Sequence, residues 1–161
     1  MKVYISGKIG EDVISDATRQ KFAKAEETLR AKGYEVFNPT TSGLDEPAAV
    51  LAKARLSIHQ EIDHEDVQKR RDRSFYECIL TLDIEELTFC DAIYMIGNFQ
   101  ESPGAIAEYA FAMATGKQVF FSEEVAAHWH IYRLYNKTPD GSPWYDWLDK
   151  RTNEIWIPFS V

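Results

Sequence analysis

Short apolar runs alternate with helically spaced apolar stripes along the first part of the chain. Residues 3–6 form an apolar run that ends in Gly7 and predicts a first strand. A helix is predicted next, with Asp16 as its N-cap and Gly33 as its stop signal, from three apolar positions at helical spacing: Phe22, Ala25 and Leu29. Residues 34–37 form a second strand, closed by Asn38-Pro39. Because β-α-β crossovers are right-handed, both strands are parallel, and the loop after the first lies at the carboxyl edge of the sheet.

The same alternation continues to residue 121. Residues 40–87 are polar and mostly helical in character, and residues 90–96 form a buried strand. A capped helix begins at Ser102, and residues 117–121 form a fourth strand. This order predicts an α/β fold, a three-layer sandwich with a mostly parallel, Rossmann-like (flavodoxin-like) sheet.

The last forty residues have a different composition. We therefore expect an α/β core over residues 1–121 and an aromatic-rich C-terminal extension over residues 122–161. The extension is expected to pack on the core, although a lid or a subunit contact would also use such side chains. Its Trp and Tyr residues are Trp129, Tyr132, Tyr135, Trp144, Tyr145, Trp147 and Trp156.

Composition narrows the classes of partner. The chain has 161 residues, enough for one substantial core, and a formal charge of −8. That charge argues against a nucleic-acid polymer, whose binding needs clustered Lys and Arg, but leaves a small nucleotide open. The apolar run at the N-terminus is too short for a signal peptide or a membrane span, so we expect a cytoplasmic protein without a membrane partner.

Cysteine and histidine spacing predicts neither a disulfide nor a metal site. Cys78 and Cys90 are the only cysteines, and neither belongs to a zinc-binding pattern. The histidines are scattered apart from one His-x-His pair: His59, His64, His128 and His130. We therefore expect no metal and no cofactor.

The segment 101–109 carries the strongest chemical signal. Ser102 is a favoured N-cap, Pro103 suits the first helical position, and Gly104 allows a ligand close to the backbone. The N–H groups of Gly104 and Ala105 are thus predicted to bind an anion. Glu108 lies about 9 Å further along the helix axis, a spacing that suits a sugar whose phosphate rests on the helix terminus. Its carboxylate is expected to face open space, as would that of an ordinary solvated helix glutamate.

A second carboxylate, Asp83, precedes the buried strand. If Leu80, Ile84 and Leu87 face the core, Asp83 lies on the flank of their stripe. It then points either to solvent or across the sheet edge, and helical spacing alone favours solvent.

Taken together, these residues resemble the nucleoside 2-deoxyribosyltransferase superfamily. The likeness is greatest to its small DUF4406-type members and to its deoxynucleoside 5′-monophosphate N-hydrolase branch, and it covers residues 1–121. Four pieces occur in the order seen there: Tyr4-Ile5-Ser6-Gly7, Asn38-Pro39, Asp83 ahead of Cys90-Asp91-Ala92-Ile93-Tyr94, and Ser102-x-Gly104-x-x-x-Glu108.

The resemblance implies a retaining, two-displacement reaction on a 2′-deoxyribonucleoside or its 5′-monophosphate. Glu108 would attack the anomeric carbon, Tyr4 would orient it, and Asp83 would contact the sugar or assist the leaving base. Related enzymes complete their sites with a neighbouring subunit or a C-terminal segment, so we expect a homo-oligomer. The expected substrate-binding residues are Gly7, Lys8, Ile9, Asn38, Ser102, Gly104 and Ala105.

Three questions stay open at this point. Water or a second base can resolve the same intermediate, so hydrolase and transferase are not separated. The N-hydrolase branch carries an Arg where this chain has Gly10, which leaves Lys8 as a point cation for a phosphate. A nucleotide-binding or sensor module without turnover, and an interaction protein working through its aromatic tail, are the other function classes.

Overall fold

Four strands and four α-helices alternate in the computed structural model, which describes residues 1–9, 14–58, 67–97 and 99–125. The strands are β1 (Lys2–Gly7), β2 (Glu35–Phe37), β3 (Ala92–Ile96) and β4 (Gln118–Phe121). The helices are α1 (Asp16–Ala31), α2 (Asp45–Ile58), α3 (Val67–Thr88) and α4 (Pro103–Ala114). Two short 3-10 helices, Pro39–Thr41 and Phe99–Glu101, follow β2 and precede α4.

All four strands are parallel and lie in the order β2-β1-β3-β4. In the central pair, Tyr4 lies beside Ile93 and Gly7 beside Ile96. This confirms the α/β class and the flavodoxin-like arrangement. In such sheets ligands bind beyond the carboxyl ends of the strands, where the direction of winding reverses. Here that switch point lies between β1 and β3.

Helices cover both faces of the sheet and give the predicted three layers. Successive side chains of β1 alternate between the faces. Val3 and Ile5 pack with Phe22 and Leu29 of α1. On the opposite face a second core joins β1 and β3 to α4 and the end of α3, through Tyr4, Leu87, Ile93, Met95, Ala105, Tyr109 and Ala112. Helix α2 packs on α3 through Ala48, Ala52 and Cys78.

The predicted starts of α1 and α4 hold to within one residue. Ser15, and not Asp16, is the N-cap of α1, because its hydroxyl accepts the Thr18 N–H at 3.3 Å. Asp16 is the first helical residue, where a negative charge favours the helix dipole. Gly33 follows α1 with a φ of 83°, a conformation that glycine adopts without strain.

The C-terminal extension lies almost wholly outside the described residues. Of it the structure describes residues 122–125, and Val125 is buried against the α4 side of the sheet. The aromatic cluster of the tail and all four histidines fall on residues that are not described. Within the described ranges, no helix is both long and apolar enough to cross a membrane.

Two glycines at the carboxyl edge give a matched test of this packing. A Cβ at Gly7 would stand 2.7 Å from Ile96 Cγ1 and 3.0 Å from the Ile96 backbone oxygen, so β1 and β3 must shift to accept it. We expect Gly7→Ala to lower the free energy of unfolding by about 1–3 kcal/mol. Gly104→Ala meets nothing closer than 3.9 Å and gains helix propensity, so it should be neutral or stabilising. Urea denaturation measures the free energy of unfolding of both variants. Equal values for the two would contradict the close approach of Ile96 to Gly7.

Candidate active site

The Glu108 carboxylate is buried between α4 and β1. Its residue is only 7% exposed, and both carboxylate oxygens accept hydrogen bonds from β1. The Tyr4 hydroxyl donates to Oε1 at 2.9 Å, and the Ser6 hydroxyl donates to Oε2 at 2.5 Å. The expectation of an open flank is therefore wrong. The neighbours of Glu108 on its own helix leave its carboxylate open, but the hydroxyls that cover it belong to β1.

The pleat of β1 explains why two hydroxyls meet this carboxylate. Tyr4 and Ser6 are two residues apart, so both point to the α4 face of the sheet. The Tyr4 ring is fully buried and stacks on Phe37 of β2, with ring centroids 5.2 Å apart. Burial and the Glu108 charge hold the pKa of Tyr4 well above its usual value. Tyr4 thus remains a neutral donor.

Asp83 also turns inward, so the solvated interpretation from helical spacing is wrong. Its Oδ1 is buried and, within the described part of the chain, accepts no hydrogen bond. Burial raises the pKa of Asp83 to about 7, opposed by an interaction with the Tyr4 hydroxyl and reinforced by the charges of Asp45 and Glu86. The structure therefore brings together Tyr4, Asp83 and Glu108, the three residues predicted to be catalytic.

The two carboxyl groups resist ionising together. Burial and the nearby Asp83 charge together raise the pKa of Glu108 to about 8, although the hydrogen bonds from Ser6 and Tyr4 act in the opposite direction. The pair therefore retains a proton near neutral pH, and its titration belongs to both groups. Because Tyr4 interacts with both carboxyl groups and the pKa of Glu108 is the higher of the two, we assign this proton to the pair and not to one residue.

The start of α4 is capped as predicted, but one of its N–H groups is already used. The Ser102 hydroxyl accepts the Ala105 N–H at 3.3 Å. Ala105 therefore does not offer a free donor to an anion in this structure. Gly104 is half-buried and has room at its Cα, with only Ser102 Oγ and a Leu80 methyl near the position of a Cβ.

The remaining predicted binding residues lie at the carboxyl ends of β1 and β2. Asn38 is buried and internally bonded: its amide donates to Glu26, and its carbonyl oxygen accepts from Thr40. Its side chain therefore braces the loop after β2.

The predicted binding residues in and next to the loop after β1 also contact other parts of the protein. Lys8 forms an ion pair with Glu101 at 2.8 Å, in which both side chains are about half exposed. Ile9 packs against the α1 side of the core, and Gly7 has no space for a side chain. Thus Gly7 and Ile9 shape the crevice, while the charge of Lys8 is already balanced.

Ser6 is the site residue that the sequence reasoning missed. It is 1% exposed and provides the shorter of the two bonds to Glu108. A signal was available, since a polar residue two positions after Tyr4 in a buried strand shares its face.

No three His, Cys, Asp or Glu side chains among the described residues are grouped so that they could hold a metal ion.

The raised pKa of Glu108 predicts a dependence of stability on pH. Because its folded pKa of about 8 exceeds its ordinary value of 4.5, the folded state holds a proton that the unfolded state releases. The free energy of unfolding should therefore fall as pH rises from about 4.5 to about 8. Glu108→Gln has no ionisable group at this position. Its free energy of unfolding, relative to that of the natural chain, should therefore increase by about 2 kcal/mol or more between pH 5 and pH 8.

Denaturant titrations at several pH values measure this difference. Glu85→Gln is the matched control, because Glu85 is an exposed carboxylate on α3. Its stability should follow that of the natural chain at every pH. Parallel curves for Glu108→Gln and the natural chain would contradict the buried, proton-holding site.

The sequence matches a known family model over most of its length. The model of a domain of unknown function, DUF4406, matches residues 1–121, which include every predicted site residue. No curated protein and no solved structure matches the chain. The matched region is three quarters of the chain, so the protein belongs to the DUF4406 family.

Proposed function

We propose that this protein cleaves or transfers the N-glycosidic bond of 2′-deoxyribonucleosides or their 5′-monophosphates. The observation that carries the proposal is the buried Glu108 carboxylate, held by Tyr4 and Ser6 beside a second carboxyl group of raised pKa. Perturbed titratable pairs of this kind cluster at catalytic sites. Their location at the β1/β3 switch point adds support, because open parallel sheets bind ligands there.

In the first step, a Glu108 oxygen attacks the anomeric carbon and the bond from that carbon to the base nitrogen breaks. The departing base takes the electron pair of the broken bond and a proton from Asp83. The deoxyribose is then esterified to Glu108, and Asp83 is left as a carboxylate. This division of roles uses the state of the pair in which the shared proton is on Asp83. In that state Glu108 is ionised and accepts the two hydrogen bonds from Tyr4 and Ser6.

The second step restores both groups. Water, or the nitrogen of a second base, attacks the anomeric carbon, and Asp83 accepts the proton that the nucleophile loses. The ester bond breaks, and Glu108 leaves as a carboxylate on which Tyr4 and Ser6 again donate. Water gives a hydrolase and a base gives a transferase, and both share the same covalent intermediate.

Tyr4 and Ser6 hold the nucleophile in one orientation. Both are fully buried on a central strand, so their hydroxyls are fixed by the sheet and need little reorganisation during the reaction. A sugar can reach Glu108 only if the cover over its carboxylate opens locally, because the residue is 7% exposed. Completion of the site by a second copy of the chain remains a prediction, which the sedimentation behaviour of the protein would test.

A nucleotide-binding or sensor module without turnover is the second candidate. The observation in its favour is that each carboxylate oxygen of Glu108 already accepts a hydrogen bond from within the protein. Such a module would bind the same ligands and leave them unchanged. Chromatography of the products therefore separates the two candidates, and heat stabilisation by nucleotides alone does not.

Replacement of Glu108 tests the proposed nucleophile. Glu108→Gln keeps the size and hydrogen-bonding capacity of the side chain but removes the attacking charge, so turnover should fall by several orders of magnitude. The assay follows base release from the four deoxynucleosides and their 5′-monophosphates, with Glu85→Gln as the fully active control. A Glu108→Gln protein that keeps most of its activity would contradict the mechanism.

The proposed step also predicts a preference for 2′-deoxyribosides over ribosides. A 2′-hydroxyl would crowd the attacking carboxylate and withdraw electrons from a carbon that becomes positive in the transition state. Both effects act on the chemical step, so the preference should appear mainly in kcat. Side-by-side assays of deoxyadenosine, adenosine and their 5′-monophosphates measure it; equal or faster cleavage of the ribosides would point to a different N-glycosidase.

A further inference from the structure

One lysine outside the candidate active site reaches the carboxyl edge of the sheet. Lys21 lies in the second turn of α1, next to Phe22, whose ring packs against Gly7. The Lys21 ammonium occupies the space in which a Cβ of residue 97 would stand. Gly97 is buried and has a φ of 55°, so its lack of a side chain and its backbone conformation both make room for the ammonium.

This position is close to the candidate active site. Ser6 pairs with Met95, and Gly97 is two residues beyond Met95 on the neighbouring chain segment. With strands about 4.8 Å apart and about 3.3 Å per residue, the Cα atoms of Ser6 and Gly97 are roughly 8 Å apart. The ammonium thus reaches the carboxyl edge at the end of β3 from the α1 face of the sheet, while Glu108 lies against β1 on the α4 face.

The charge of Lys21 has no counterion within the described part of the chain. Three other basic residues near the sheet pair with carboxylates: Lys8 with Glu101, Arg30 with Glu26, and Lys2 with Glu86. Lys21 as a whole is half-buried, and its ammonium lies against the buried Gly97. A partly desolvated cation attracts an anion more strongly than an exposed one does. In a chain with a formal charge of −8, an unpaired cation at the carboxyl edge of the sheet is suited to binding an anionic ligand.

We propose that Lys21 binds the phosphate of a 5′-phosphorylated substrate. The inference rests on the proposed function and narrows its substrate to the deoxynucleoside 5′-monophosphate. With the deoxyribose over Glu108, the 5′-substituent extends along the crevice toward Gly97, where the ammonium meets the phosphate as a point charge. Lys21 is therefore the specificity-determining cation, and Lys8, already paired with Glu101, is not.

Steady-state kinetics of Lys21→Met test the proposal. We expect kcat/KM for a deoxynucleoside 5′-monophosphate to fall by about tenfold or more, mainly through KM, because a charged contact is lost. The value for the unphosphorylated deoxynucleoside should stay unchanged, and Lys21→Arg should recover part of the loss. Lys24→Met is the matched control, as an exposed lysine on the same helix, and should leave both substrates unaffected. An equal effect of Lys21→Met on both substrates, or no effect, overturns the assignment.

Equilibrium binding separates this proposal from the proposed function. If no protein turns over any substrate, the glycosidic reaction fails, and the phosphate site is tested by titrating the natural chain and Lys21→Met with deoxyadenosine and its 5′-monophosphate. Tighter binding of the monophosphate by the natural chain, lost in Lys21→Met, supports the site. Equal binding by both proteins, or no binding of the monophosphate by the natural chain, contradicts it.

Discussion

The burial of one carboxylate at the edge of a parallel sheet is the constraint on which the site depends. Glu108 is removed from water by its position between α4 and β1, and it is kept in place by the hydroxyls of Tyr4 and Ser6. An isolated buried charge would be costly, so these two donors are what makes an ionised Glu108 compatible with the fold. The same burial raises the pKa of Asp83 to about 7, which places an acid beside the carboxylate.

The rest of the fold supplies the rigidity that this arrangement needs. Strand β1 is central, with β2 on one side and β3 on the other; Tyr4 is paired with both neighbours, and Ser6 is paired with Met95 of β3. The N-cap at Ser102 sets where α4 begins and hence the height of Glu108 above the sheet. Stability and function oppose each other here, because a neutral side chain at position 108 would suit the core better than a carboxylate.

Local sequence signals predicted the scaffold well and the site only in part. The cap at Ser102 and the stripe containing Phe22 depend on nearby residues, and both are confirmed. The environment of Glu108 depends on β1, about a hundred positions away, so its own helix gave no warning that it is buried. Ser6 was detectable by strand alternation. The position of Lys21 depends on the conformation at Gly97, which helical spacing cannot reveal.

The central claim is that the Glu108 carboxylate forms a covalent bond to the sugar. It is tested most directly by acid-quenching the protein during turnover of a deoxynucleoside 5′-monophosphate and mapping its peptides by mass spectrometry. The account predicts a peptide containing Glu108 that carries the added mass of a deoxyribosyl phosphate, which disappears when substrate is exhausted. Substrate consumption with no adduct on that peptide, and with inversion at the anomeric carbon, would contradict it.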